Sequence, residues 1–317
     1  MKNTYNLMKR YIVFIVLSLV LPVIISAQGI YNNGGKIVIG SGATVYLNGS
    51  TGNLKNETNV GDGAVLLSGT LRLGGNLTNN VAAAGVFTSP ATGSEVIFNG
   101  SAAQTMDGSS TAAFNFDKLT LNNSNGLTVG SNALVNNLLT FQSGIITTGS
   151  NVLTIGASGT VSGAASTSYV SGKLARVISA TGSDIAFPLG KGGNYRPLSL
   201  NFSTLTGTST VLAEQLESLL PGTAPTNVTF FSGRYWVMSQ TGGSDLAFTL
   251  SLNSEGFTTG AIKKMIQGDG STNTDYDVNF SSPNFTNTTP FSSFSNFGIG
   301  EYCVGQVVLF EAIAAKT

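Results

Sequence analysis

Gly130-Ser131-Asn132-Ala133-Leu134 returns nineteen residues later as Gly149-Ser150-Asn151-Val152-Leu153, and Leu119-Thr120-Leu121 returns twenty residues later as Leu139-Thr140-Phe141. Working outward, Gly40-Ser41-Gly42-Ala43-Thr44-Val45 is echoed by Gly61-Asp62-Gly63-Ala64-Val65-Leu66 and, more loosely, by Gly156-Ala157-Ser158-Gly159-Thr160-Val161. Short apolar triplets that recur at a period near twenty, separated by Gly, Asn and Ser, predict coils stacked on one another, a β-solenoid. Between Leu119 and Val161 the strand starts fall six to eight residues apart, three to a repeat, so a three-sided coil is expected. Stretches such as Asn122-Asn123-Ser124-Asn125-Gly126 supply corners, where Gly and Asn tolerate a left-handed backbone. Asn132 and Asn151 hold equivalent places, and their amides are expected to stack as a ladder that satisfies corner carbonyls. The segment 79–93 breaks the rhythm and reads as a surface insertion.

The composition fits this reading. The chain has 317 residues, with 40 glycines, 9% charged and 41% hydrophobic residues. That length allows about two domains. Disordered chains lack β-branched and aromatic residues, whereas here they alternate with small polar residues throughout. Past Tyr169 the pattern changes to longer alternating strands, expected at 174–178, 196–202, 210–217, 228–231, 234–238, 246–252 and 297–300. Gly, Pro and Asn stand at their turns, which predicts an antiparallel β-sandwich. Segment 212–220 reads equally well as a strand or as a helix stopped by Pro221-Gly222.

Residues 1–28 read as a signal peptide: Lys2, Lys9 and Arg10 form a basic head, an apolar run from Tyr11 to Ile25 follows, and cleavage is expected after Ala27 or Gln28. A membrane anchor wants about twenty apolar residues, and this run is shorter and holds Pro22. No transmembrane span is expected after cleavage. Removing the segment leaves twelve Lys plus Arg against fifteen Asp plus Glu, so a nucleic-acid partner has no electrostatic basis. The expected organisation is signal peptide 1–28, β-solenoid repeats 29–172, β-sandwich 173–302, and a tail or truncated linker 303–317. Cys303 is the sole cysteine, so no internal disulfide forms.

The absence of histidine excludes Ser-His-Asp, Cys-His and His-ligated metal chemistry. Polysaccharide chemistry on a β-helix needs two acids on one face, about 5–10 Å apart. Of Glu57, Asp62, Glu95, Asp107 and Asp117, none stacks on another when stepped by one repeat. No catalytic residues and no cofactor are therefore assigned. Asp269, Asn273, Asp275 and Asp277 partly match the start of a calcium loop, but Val278 stands where Gly is needed and no Glu closes it, so a solvated interstrand loop is preferred. Gly190-Lys191-Gly192-Gly193 has its Lys misplaced for a phosphate cradle. Trp236 is a candidate for sugar stacking, weighed against the commoner place of a lone strand Trp in a sandwich core. Threonine-faced solenoids order water at ice, but threonine does not recur here at a fixed position of the period.

Val96-Ile97-Phe98-Asn99-Gly100 with Gln104-Thr105, then Phe114-Asn115-Phe116-Asp117-Lys118-Leu119-Thr120-Leu121, resembles the repeats of large secreted surface proteins of Bacteroidetes. So do Phe187-Pro188-Leu189-Gly190 with Tyr195-Arg196-Pro197, Arg234-Tyr235-Trp236, and Phe294-Ser295-Asn296-Phe297-Gly298-Ile299-Gly300. The resemblance implies an all-β chain, a right-handed β-helix followed by a β-sandwich, exported by the type IX secretion system and held at the cell surface. Such relatives continue into a C-terminal sorting domain, so either the chain continues past Thr317 or surface sorting does not apply. The resemblance carries no catalytic residues. The expected function is a non-enzymatic secreted or cell-surface, adhesin-like protein whose solenoid meets an extracellular glycan or surface protein. The alternatives are a polysaccharide-degrading β-helix enzyme, lyase or glycosidase, using Asp107 or Asp117, and carbohydrate binding by the sandwich through Trp236.

Overall fold

A computed structural model of the chain describes residues 29–58, 63–81, 87, 90–226, 228, 230–253 and 262–302. The expected signal segment, Cys303 and the tail 303–317 lie outside them. Among the described residues every regular element is a β-strand.

The N-terminal strands pair in parallel along three ladders. The first runs through Gly29–Asn33, Asn53–Glu57, Leu77–Asn79, Gln104–Asp107, Leu127–Val129 and the beginnings of Ile146–Ile155 and Val170–Ile178. The second joins Lys36–Ile39 to Ala64–Leu67, and further along it joins residues 114–116, 133–135, 153–155 and 174–176. The third stacks Thr44–Leu47, Thr70–Leu73, Glu95–Phe98, residues 118–121, residues 138–141 and Thr160–Ser162. Together they form a β-solenoid of about 6 turns. Leu121 pairs with Phe141 on one side and Phe98 on the other, extending a row that begins with Leu47 and Leu73. All five are buried. Taking one such side chain out of water is worth about 1.5–3 kcal/mol, and repetition at every turn is what holds the coil together. The corners are tight. Gly144 sits at φ +98, where an added Cβ would collide with the Asn123 carbonyl.

The period is less regular than the repeat implies. Spacing near twenty holds for Leu119 against Leu139, but Val45 pairs with Leu71 and Ile37 with Val65. The echo between Gly40 and Gly61 is therefore not structural: Ala64 lies on Lys36 in the second ladder, while Thr44 lies on Thr70 in the third. Early turns carry longer corners, and local similarity there joins different sides of the coil. Segment 79–93 is not wholly at the surface either. Val81 and Phe87 are buried, and the Phe87 ring packs on Phe116 with centroids 5.6 Å apart.

The amide ladder exists, but on other residues. Asn32 Nδ2 donates to Asn56 Oδ1 at 2.8 Å, and Asn56 Nδ2 donates to Asn79 Oδ1 at 3.0 Å, all three being buried. Further along, Asn123 Nδ2 donates to Gln104 Oε1 at 3.0 Å. Asn132 and Asn151 instead bond the backbone of neighbouring turns: Asn132 Oδ1 accepts from the Val152 amide at 2.9 Å and Asn151 Nδ2 donates to the Val129 carbonyl at 3.1 Å.

Val170–Ile178 changes the architecture. One edge pairs in parallel with Ile146–Ile155, and the other pairs antiparallel with Ser209–Leu216. This covers the second-ladder edge of the terminal turn, and the parallel bridge between Val170 and Leu189 covers part of its first-ladder edge. From Ser209–Leu216 an antiparallel series continues through Phe230–Thr241, Asn296–Tyr302, Ile262–Gly268 and Asn273–Ser281. A second series runs Asp184–Phe187, Leu198–Thr206, Ser244–Asn253, Asn284–Asn287 and back to Asn273–Ser281. The expected boundary between 172 and 173 falls inside Val170–Ile178, and one hydrophobic cluster extends from Ile39 to Ile299.

Most expected strands appear with shifted bounds, and residues 230–231 of the expected 228–231 share one strand, Phe230–Thr241, with 234–238. Of the two readings of 212–220 the strand holds as far as Leu216, with burial alternating along Ser209–Leu216. Ile262–Gly268 and Asn273–Ser281 were not expected. Met265 and Ile266 are adjacent and both buried, which breaks alternation, and Asn and Asp are poor strand formers. Pairing on both edges overrides that preference.

Candidate functional site

The outer face of the first ladder carries an aligned polar surface. Parallel register places Thr105, Thr128, Thr147 and Ser171 one above another on four consecutive strands. Neighbouring strands lie about 4.7–4.9 Å apart, which sets the pitch of this hydroxyl column. Thr128 and Thr147 are exposed, while Thr105 and Ser171 are half-buried. The column continues toward the N-terminal turns as amides: the Thr105 amide donates to Asn76 Oδ1 at 2.8 Å, and the Asn76 amide donates to Asn53 Oδ1 at 2.6 Å. Beside it runs a second outward column, Tyr31, Lys55, Thr78 and Asp107.

That second column carries the charges of this face, one ion pair and one hydrogen-bonded carboxylate. Lys55 Nζ lies 2.7 Å from Glu57 Oε1 and 5.7 Å from the centre of the exposed Tyr31 ring. The Glu57 carboxylate raises the Lys55 ammonium above its usual pKa, and Lys55, helped by the Asn80 amide, lowers that of Glu57. Thr78 Oγ1 donates to Asp107 Oδ1 at 3.0 Å.

At its C-terminal end the hydroxyl column opens into a cleft of ≈ 380 Å³. Ser124, Asn125, Thr128, Thr147, Thr167 and Ser171 line it with the turn Gly192-Gly193, and no lining side chain is charged. The wall is a hairpin, Gly190–Lys191 paired with Asn194–Tyr195. It is pinned by Tyr169, whose hydroxyl accepts from the Gly193 amide at 3.1 Å and whose ring lies 5.9 Å from that of Tyr195. Burial raises the Tyr195 phenol above its ordinary pKa. Such a surface offers neutral donors and acceptors at a regular spacing, with an uncharged recess at one end.

The residues singled out from sequence are dispersed. Asp107 stands on the first ladder, whereas Asp117 is buried at the bend between the second and third, where its Oδ2 accepts from the Gly93 amide at 2.7 Å. Asp269, Asn273, Asp275 and Asp277 do not converge. Asp269 Oδ1 accepts from the Ser271 and Thr272 amides at 2.8 and 2.9 Å, closing the turn before Asn273–Ser281, and these bonds lower its pKa to about 2. Asn273 donates to the Pro221 carbonyl at 3.2 Å, and Lys264 Nζ sits 3.1 Å from Asp275 and 2.8 Å from Asp277. Among the described residues no group of three or more His, Cys, Asp or Glu is placed to hold a metal ion.

Trp236 is fully buried, and its Nε1 donates to the Arg196 carbonyl at 3.0 Å. Of its two readings, the core one stands, since a ring without exposed surface has no face for a sugar. The hydroxyl column was missed. Its members follow Gln104, Leu127, Ile146 and Val170, each the residue on which a first-ladder strand registers, so the signal is a hydroxyl directly after that residue. Unequal turn lengths hide it from a search at fixed period.

Among the described residues no helix is long and apolar enough to cross a membrane. Comparison of the chain with protein-family models, with curated proteins and with solved structures finds no match.

Proposed function

We propose that this chain is a secreted or cell-surface, non-enzymatic, adhesin-like scaffold that presents the first-ladder face of its solenoid to an extended, uncharged extracellular glycan. The observation that carries this reading is the column Thr105, Thr128, Thr147 and Ser171, ending in a cleft with no charged lining. A glycan repeats its hydroxyls along a chain, and a parallel ladder repeats its own along the stack, so successive sugars meet equivalent partners. The proposed architecture is a right-handed, three-sided β-solenoid continued by an antiparallel β-sandwich. Three ladders, and two antiparallel series sharing Asn273–Ser281, support it. Export rests on the leader-like residues 1–28, and the resemblance to type IX-exported surface proteins points the same way. The non-enzymatic reading is supported by the placement of Asp107 on the first ladder and of Asp117, buried, at the bend between the second and third.

The test is binding of the purified chain to an array of neutral and acidic glycans at low and high salt. Retention of neutral glycans, insensitive to salt, is expected. Each hydroxyl contributes about 0.5–1.5 kcal/mol, so Thr128→Val with Thr147→Val should weaken binding by about 1–3 kcal/mol without changing thermal stability. Binding to no glycan, or equal binding by the double variant, refutes the reading. Reducing-end release from any polysaccharide, lost on Asp107→Asn or Asp117→Asn, overturns its non-enzymatic part.

A further inference from the structure

We infer that a second recess, in the antiparallel part of the molecule and independent of the solenoid face, is a binding site for a single neutral sugar ring. The recess, ≈ 490 Å³, lies between residues 238–240, the return of the hairpin at 244–246, and segment 292–294. Three features combine there. Phe294 is a half-buried ring that lines the recess and lies parallel on Phe248, with centroids 4.3 Å apart and 9° between planes. It is thus a rigid aromatic plate, suited to the C–H face of a pyranose.

Asp245 is the sole charged residue of the lining, is exposed, and belongs to no ion pair among the described residues. It holds a left-handed backbone, φ 51, just after Gly242-Gly243, and Ser244 Oγ donates to its Oδ2 at 3.2 Å. Aspartate tolerates this conformation, and its second carboxylate oxygen remains to accept sugar hydroxyls. Gln240 supplies the neutral partner: its Nε2 is committed to the Gly242 carbonyl at 2.8 Å, which fixes the amide and leaves Oε1 as an acceptor.

The opposite wall is braced. Gln267 Nε2 donates to the Ser293 carbonyl at 3.0 Å, and Tyr276 Oη donates to Gln267 Oε1 at 3.1 Å. Ser239, Ser244, Ser292 and Ser293 complete the rim with hydroxyls. An aromatic plate with one carboxylate also attracts an ammonium group, but cation recognition favours several rings and gains nothing from a hydroxyl rim. The surplus of hydroxyl and amide groups favours a polyol ring.

The experiment is titration of the full chain with methyl glycosides of glucose, galactose and mannose, followed by amide chemical shifts and calorimetry. Saturable binding of at least one glycoside is expected, with shifts confined to 238–246 and 292–294. Asp245→Asn keeps the backbone preference and should weaken binding at least tenfold. Phe294→Leu, which retains apolar packing on Phe248, should do the same, with thermal melting confirming the fold. Absence of saturable binding, shifts on the first ladder instead, an unaffected Asp245→Asn variant, or displacement by tetramethylammonium each overturns the inference.

Discussion

Replacing Asn56 by alanine tests whether buried amides, as well as aliphatic rows, tie the first turns of the solenoid together. The Asn56 side chain is wholly buried and makes three bonds: Nδ2 to the Gly63 carbonyl at 2.8 Å and to Asn79 Oδ1 at 3.0 Å, and Oδ1 from Asn32 Nδ2 at 2.8 Å. Asn32 retains a bond to the Gly35 carbonyl at 2.8 Å, and Asn79 keeps a contact from the Val81 amide at 3.5 Å, so those two lose one interaction each. The Gly63 carbonyl loses its amide donor in a buried place. Two net bonds at about 0.5–1.5 kcal/mol and one orphaned acceptor at about 1–3 kcal/mol give a loss of about 2–6 kcal/mol. Against a total of about 5–15 kcal/mol this is large, and in a stacked coil it should appear locally. Urea unfolding with hydrogen exchange is the assay. Protection should fall in the turns holding Asn32, Asn56 and Asn79 and persist from Gln104 onward. Asn151→Ala, which loses a single half-buried bond, is the control and should cost about 0.5–1.5 kcal/mol. Gly63→Ala strikes the same cluster, because its Cβ would press on Asn56 Oδ1 and come within 2.9 Å of Asn32 Nδ2. Combined with Asn56→Ala it should cost less than the sum of the two. An Asn56→Ala variant within about 1 kcal/mol of the parent, with unchanged exchange, refutes the reasoning.

The remaining predictions concern the antiparallel part. Trp236 is the sole tryptophan, so its fluorescence reports that region alone; acrylamide should quench it poorly, and Trp236→Phe, by removing the buried bond to the Arg196 carbonyl, should destabilise by about 0.5–1.5 kcal/mol. Quenching as efficient as that of free tryptophan would contradict the burial. Asp269 is lowered from 3.8 to about 2, so its contribution to the turn is complete above its ordinary pKa and is lost as pH falls through the folded value. The Ser271 and Thr272 amide shifts should titrate with a midpoint near 2, and a midpoint near 3.8 would show that the bonds to Asp269 are not made. Lys264 is raised by Asp277 and Asp275, so its ion pairs hold below its ordinary pKa and weaken only as pH rises through the folded value, and Lys264→Met should remove that alkaline dependence.

The chain of residues by itself determined that this protein coils. Leu121 and Phe141 follow the same local pattern, Leu-Thr-Leu and Leu-Thr-Phe, and a strand of three or four residues with one apolar face can bury it only by stacking. It also placed asparagines at corners, because that preference is local to the turn. What only the tertiary structure decided is register. Which asparagine meets which, that Thr128 lies under Thr147 and over Thr105, and that Phe87 returns to the core all depend on how many residues each corner consumes, and those numbers vary from turn to turn. The same holds for Asn273–Ser281, whose composition argues for a loop and whose two neighbours make it a strand. Trp236 shows the limit most plainly. Its type is commoner in a core but also suits a sugar platform, and burial, which is a property of everything packed around it, decided between them.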